Sequence, residues 1–129
     1  MKRSIILSLL ISLLFLLSCS TSTVTNIKEI SAADLKAEMK IDTNLVVLDV
    51  RHPEELTGEY GHIAGVVNIP VEELEQRITE LNKYKNDRIA VICRSGNRSK
   101  RATVILTDHG FNAVSVIGGM KAYNKLNEK

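Results

Sequence analysis

Cysteine is nearly absent from this chain of 129 residues, standing only at positions 19 and 93. Around Cys93 no second cysteine and no histidine falls within the short spacings that zinc sites use, which argues against a metal. Aromatic residues make up 4% of the chain, and tryptophan is missing altogether. Excess charge is also lacking: with Lys2 and Arg3 set aside, 15 basic residues face 15 acidic ones. A neutral domain with few aromatics has no basic stripe for nucleic acid, so that class of partner is excluded. No apolar run reaches the roughly 20 residues that a membrane span requires. There is no internal repeat, and low complexity is confined to one short Ser/Thr segment.

What is present begins with an export signal. Lys2 and Arg3 precede Ile5 to Leu17, a stretch that is apolar except for Ser8 and Ser12, the arrangement of a secretory signal peptide. Residues 1–18 are expected to be that peptide. The ending Leu16-Leu17-Ser18-Cys19 resembles a bacterial lipobox, which implies that Cys19 is lipidated and opens the mature chain. The alternative is an ordinary signal with Cys19 near the cut by coincidence. Residues 19–26, with "STSTVTN" after the cysteine, are expected to form a solvated, flexible tether. The protein is therefore expected to be exported and anchored to a membrane by lipid. Ser20 in place of an aspartate points to the outer membrane, facing the periplasm, in a Gram-negative cell. In a Gram-positive cell the same leader implies the outer face of the cytoplasmic membrane.

Residues 27–129 remain for folding, about 100 in all, enough for one hydrophobic core. Two kinds of segment alternate along them. "NIKEI" is read as a short strand, and "SAADLKAEMK" as a helix with Ser31 as N-cap and Asp34 three residues on. "NLVVLDV" is a β-branched run of the kind buried on both faces of a parallel sheet. "VVNIP" is a further strand, and "VEELEQRITEL" places Val71, Leu74, Ile78 and Leu81 at helical spacing. The strand "RIAVI", the helix "SKRATVILTDH" closed by Gly110, the strand "AVSVI" and a last helix "MKAYNKL" complete the chain. The expected fold class is α/β: a mainly parallel sheet with helices on both faces.

Ligands of such folds bind at the carboxyl ends of the strands, and Cys93 stands at one of them, opening "CRSGNRS". If Cys19 carries lipid, Cys93 has no intramolecular partner. A disulfide between the two requires an unlipidated tether folded back on the domain. A leftover thiol in an exported protein is either buried and inert or reactive for a purpose. Gly96 permits a sharp turn into the next helix. Amides of residues 94 to 99 curling inward would form a concave nest aimed at the sulfur and backed by the helix dipole. With Arg94 and Arg98 adding positive charge, these effects favour the thiolate over the thiol. The substrate suited to this site is a small anion with sulfonate-like oxygens, gripped by guanidinium groups and loop amides while the sulfur attacks.

Four ordered motifs, "LDVRHPEE" (48 to 55), "GHIAGVVNIP" (61 to 70), "CRSGNRS" (93 to 99) and "VIGGMKAY" (116 to 123), resemble the rhodanese-like domain of sulfurtransferases, from about Ile27 to Leu126. The resemblance implies a single module with a mainly parallel five-stranded sheet between helices, in which Cys93 takes sulfane sulfur from a donor such as thiosulfate, releases sulfite and holds the sulfur as a persulfide. A thiol or a cyanide-like acceptor then removes it. No cofactor is implied beyond that covalent intermediate, and no metal. Related phosphatases use Cys-x5-Arg; here Arg98 follows Cys93 in a Cys-x4-Arg loop preceded by Ile92, one residue too short for phosphate.

The residues expected to hold substrate are Arg94, Ser95, Gly96, Asn97, Arg98 and Ser99, with Asp49 and Arg51 as a supporting strand-end pair. Each has a plainer alternative. Arg94 is otherwise a solvated surface charge, Arg98 a partner for a nearby carboxylate, and Ser95 and Ser99 caps of the following helix. His62 is read as fixing the chain by a hydrogen bond, His52 and His109 as surface residues, and Gly118 and Gly119 as a tight turn beside the active loop. The rival function is a persulfide carrier or anion-binding module, docked to a protein sulfur donor or acceptor.

Overall fold

The computed structural model describes residues 26–128. The leader, the lipidation position Cys19 and all of the tether before Asn26 lie outside them. Five strands form one sheet: β1 (Glu29–Ile30), β2 (Val46–Asp49), β3 (Val67–Asn68), β4 (Arg88–Ile92) and β5 (Asn112–Val116). Their order is β1-β5-β4-β2-β3, and every neighbouring pair is parallel. Three α-helices are present among the described residues, α1 (Ala32–Ile41), α2 (Asn97–Asp108) and α3 (Gly119–Lys125). Two 3₁₀ segments, η1 (Pro53–Thr57) and η2 (Ile78–Tyr84), accompany them.

Alternation along the central strands sends successive side chains to opposite faces. Leu48, Ile89, Val91 and Cys93 join Ala102, Leu106 and Leu81 in one buried cluster, on the face covered by α2 and η2. Val47, Ala90, Ile92 and Val114 join Leu35 and Met120 in the other, under α1 and α3. Apolar side chains buried this completely contribute about 1.5–3 kcal/mol each, and the two clusters fix the central strands from both sides. α1 begins with the expected capping box: Ser31 Oγ accepts from the Asp34 amide at 3.0 Å, and the Asp34 carboxylate accepts from the Ser31 amide at 3.1 Å.

Two expected elements differ. "VEELEQRITEL" forms no α-helix: residues 71–77 are a succession of turns, and η2 follows. Its apolar positions Val71, Leu74, Ile78, Leu81 and Tyr84 mostly recur every three residues, which matches the 3₁₀ repeat. Bonds such as Glu73 N to Pro70 O and Glu80 N to Arg77 O close over three residues accordingly. Val71, Leu74 and Leu81 are buried as the apolar pattern requires. The helix after Cys93 starts earlier than its apolar pattern suggests, at Asn97, with Gly96 as N-cap. Asn97, Arg98 and Ser99 thus belong to a first helical turn, and neither Ser95 nor Ser99 is the cap.

Candidate functional site

The strands end together at the carboxyl edge of the sheet, and Cys93 follows the central β4 there. Its chain must leave the sheet and enter α2 within three residues, a reversal made possible by Gly96 at φ +108°, a region that side chains disfavour. The turn aims two amides at the sulfur: Gly96 N lies 3.1 Å and Ser99 N 3.4 Å from Cys93 Sγ. The Ser99 hydroxyl stands 3.7 Å from the same atom. Cys93 is 1% exposed, so the sulfur rests in the floor of a cradle rather than on the surface.

A second loop braces the first. Gly118 and Gly119 both adopt positive φ, and Gly119 packs directly beneath Cys93. A Cβ at position 119 would stand 2.3 Å from the Cys93 carbonyl oxygen and 2.7 Å from the Arg94 carbonyl. Only glycine allows that approach. It lets the first amides of α3 reach the loop: Met120 N donates to Cys93 O at 2.8 Å and Lys121 N to Arg94 O at 3.1 Å. The start of the cysteine loop is thus held by the backbone of α3.

The expected binding residues occupy different stations. Arg94 and Ser95 are exposed at the rim, with the Arg94 guanidinium 5.5 Å from the Tyr60 ring centroid. Arg94 lines a cleft of about 190 Å³ together with Arg51, Glu55, Gly58, Glu59 and Tyr60. Asn97 is exposed on the first turn of α2. Arg98 points to Glu55 of η1 in a two-bond ion pair, at 2.6 and 2.8 Å. The Arg98 guanidinium pulls the Glu55 carboxyl down to about 2, and Glu55 in turn raises the guanidinium above its ordinary value. This is the carboxylate partnership weighed above for Arg98, and it ties the first turn of α2 to the segment after β2.

Asp49 and Arg51 are 0% and 1% exposed. Arg51 Nη2 donates to Asp49 at 2.7 Å and to Gly61 O at 2.8 Å, while Nη1 reaches Glu55 O at 3.2 Å. The pair is a buried clamp on the segment from 55 to 61, with Arg51 also on the wall of the cleft. His62 Nδ1 lies 3.1 Å from Leu56 O and fixes the same segment. His52 and His109 are exposed.

Glu55, Tyr60 and Ser115 escaped the sequence reading as site residues. Ser115 is the single polar residue within "AVSVI", a pattern break that marks a buried hydroxyl. Glu55 lies within a recognised motif, but its partner is 43 residues away, a distance no local pattern spans. No group of three or more His, Cys, Asp or Glu among the described residues is arranged to hold a metal ion.

In chemical terms, a lone thiol lies at the focus of two amides and a hydroxyl, beside one arginine that is committed to a carboxylate and a second that is exposed. Such an arrangement stabilises negative charge on the sulfur and on a small ligand above it. The family model described as "Rhodanese-like domain" matches residues 31–126. The chain is 43% identical over 103 residues to a putative sulfur carrier protein of Bacillus subtilis, covering 79% of this chain and 54% of that one; it spans about half of that relative's length. It is 39% identical over 74 residues to a thiosulfate sulfurtransferase of Escherichia coli, covering 57% of this chain and 69% of that one. A solved rhodanese-related protein from Thermoplasma volcanium superposes with a TM-score of 0.68 at 39% identity, covering 77% of this chain and 92% of the other.

Proposed function

Because the chain belongs to the rhodanese-like domain family, whose members here are named for sulfur transfer or carriage, we propose that it is a sulfurtransferase acting through a Cys93 persulfide. The Cys93 thiolate attacks the outer, sulfane sulfur of thiosulfate or a related donor. A sulfur–sulfur bond forms at Cys93, the bond to the sulfonate sulfur breaks, and sulfite leaves with the electron pair. A thiolate or cyanide then attacks the outer sulfur of the persulfide, and the Cys93 thiolate is regenerated. The observation that carries the reading is the convergence of the Gly96 and Ser99 amides on Cys93 Sγ, since donors placed there stabilise the thiolate that attacks the donor and is released again when the acceptor takes the outer sulfur. Arg94, Ser95 and Asn97 at the rim provide the polar surroundings for the anionic donor. Thiosulfate is the donor named for the Escherichia coli relative.

Incubation of the reduced, purified protein with thiosulfate, followed by intact mass measurement, tests this. One added sulfur atom, absent in Cys93→Ser and removed by cyanide as thiocyanate, is the expected result. Full transfer activity in Cys93→Ser would overturn it.

A persulfide carrier with negligible turnover is a second reading, supported by the name of the Bacillus subtilis relative and by the engagement of Arg98 with Glu55, which leaves less positive charge for a free anion. A carrier would load from a protein sulfur donor and show at most one equivalent of thiocyanate from thiosulfate and cyanide, whereas an enzyme shows many. From residues 1–19 we also propose export and anchoring through lipid on Cys19. Cys19→Ala is expected to leave the membrane fraction, as judged by fractionation and by the mass of the mature N-terminus.

A further inference from the structure

The cradle contains a polar side chain for which the transfer steps have no use. Ser115 lies on β5, opposite Val91 of β4 in register and 0% exposed. It occupies a face otherwise built from Ala113, Val91 and Cys93. A hydroxyl buried there is costly unless bonded, and the bond it makes is to Ser99 Oγ, at 2.9 Å.

Proton counting at Ser99 gives that bond a direction. Ser99 Oγ has three polar neighbours: Gly96 O at 2.9 Å, Ser115 Oγ at 2.9 Å and Cys93 Sγ at 3.7 Å. Gly96 O only accepts, so the one Ser99 proton points to it while Cys93 is a thiol donating to Ser99. When the sulfur at position 93 is negative, it too needs a donor, and the Ser99 proton can turn to it. In both arrangements Ser99 Oγ has a free lone pair for the Ser115 proton. Accepting that proton polarises the Ser99 hydroxyl and strengthens its own donation.

We propose that Ser115 is a positioning residue for sulfur transfer: by donating to Ser99 Oγ it holds that hydroxyl where its proton alternates between the Gly96 carbonyl and a negative sulfur on Cys93. The inference rests on the persulfide reading for its role in transfer, but its geometry does not depend on turnover.

The test is a double-mutant cycle on the full chain with Ser115→Ala, Ser99→Ala and both together. The primary readout is the rate of Cys93 alkylation by iodoacetamide as a function of pH, which requires no sulfur transfer. Ser115→Ala is expected to displace the alkylation profile toward higher pH, with rates about threefold lower on its rising limb and the same plateau. The charged groups facing the cradle, Arg98 with its Glu55 partner, Arg94, and Arg51 with Asp49, are the same in every variant, so a displaced profile belongs to the hydroxyls. In the Ser99→Ala background, removal of Ser115 is expected to have no further effect on the profile. For thiosulfate, kcat should fall about three- to tenfold in Ser115→Ala while KM stays within about twofold. An unchanged alkylation profile in Ser115→Ala, or equal effects of Ser115→Ala with and without Ser99, would overturn the proposal. Loss of the persulfide reading alone would show as no added sulfur with the alkylation result intact.

Discussion

Cys93 can lie at the floor of its cradle only because its neighbours are small. Gly96 lets the chain turn, and Gly119 lets the α3 backbone reach the Cys93 and Arg94 carbonyls. Gly119→Ala places a Cβ against the Cys93 carbonyl oxygen at a backbone angle of φ +56°. It is expected to cost about 2–4 kcal/mol in denaturant unfolding and to disturb alkylation of Cys93, because the strain falls on the loop that carries the sulfur. The two arginines should separate in kinetics. Arg94 is exposed at the cleft, so Arg94→Ala is expected to raise the thiosulfate KM about three- to tenfold with little effect on the unfolding midpoint. Arg98→Ala leaves the Glu55 carboxylate without its partner and is expected to lower that midpoint as well. Equal behaviour of the two variants in both assays would refute this division. At this scale the sequence was readable where a residue breaks a local pattern: a thiol and a glycine after an apolar strand, two glycines before a helix. The Arg98 ion pair, the Tyr60 contact and the Ser99–Ser115 bond join residues far apart in the chain, and only the fold brings them together.

Elements were legible in proportion to how much their periodicity differs from the alternatives. The strand "RIAVI" appears as read, because a short apolar run beside a turn glycine fits a buried parallel strand. "VEELEQRITEL" defeated the same reasoning, since an apolar residue at every third or fourth position satisfies an α-helix and a 3₁₀ path alike. η1 shows how a short element acquires a role. It holds Glu55, which fastens the start of α2 through Arg98, and this fastening is sensitive to acid. The Glu55 carboxyl is held at about 2, against an ordinary value of 4.5. A carboxyl lowered in the folded state contributes stability that is complete above the unfolded value and is lost as pH falls through the folded one. The contribution should therefore fade between about pH 4.5 and 2. With both groups near 30% exposed, solvent screening reduces it to roughly 1–3 kcal/mol. Urea unfolding of wild type and Glu55→Gln should differ most near neutral pH and converge by about pH 2; a difference that persists at low pH would show that the pair acts by packing instead.

Across the whole molecule, the α/β class and the parallel sheet between helices follow from the alternation of segments and the count of five strands from the family resemblance, whereas the strand order β1-β5-β4-β2-β3 depends on crossovers that no segment reveals by itself. That order places the cradle beside the clamp after β2. Asp49 and Arg51 are buried together there, and Arg51 grips the Glu55 carbonyl within η1 and the Gly61 carbonyl between η1 and β3. Removal of one partner from a buried pair strands the other, so Arg51→Ala is expected to lose about 3–5 kcal/mol, with the double replacement of Asp49 and Arg51 by apolar residues losing less. Thermal unfolding of the three proteins would decide it.

The parallel sheet also gives the molecule a direction. Asn26 lies beside Asn112, at the amino end of β5, while Cys93 opens at the carboxyl end of β4. Whatever holds this domain by its N-terminus grasps the rim opposite the sulfur. Under the lipid anchoring proposed above, attachment at that rim leaves the edge that carries Cys93 unobstructed, so a donor and an acceptor can approach it in turn.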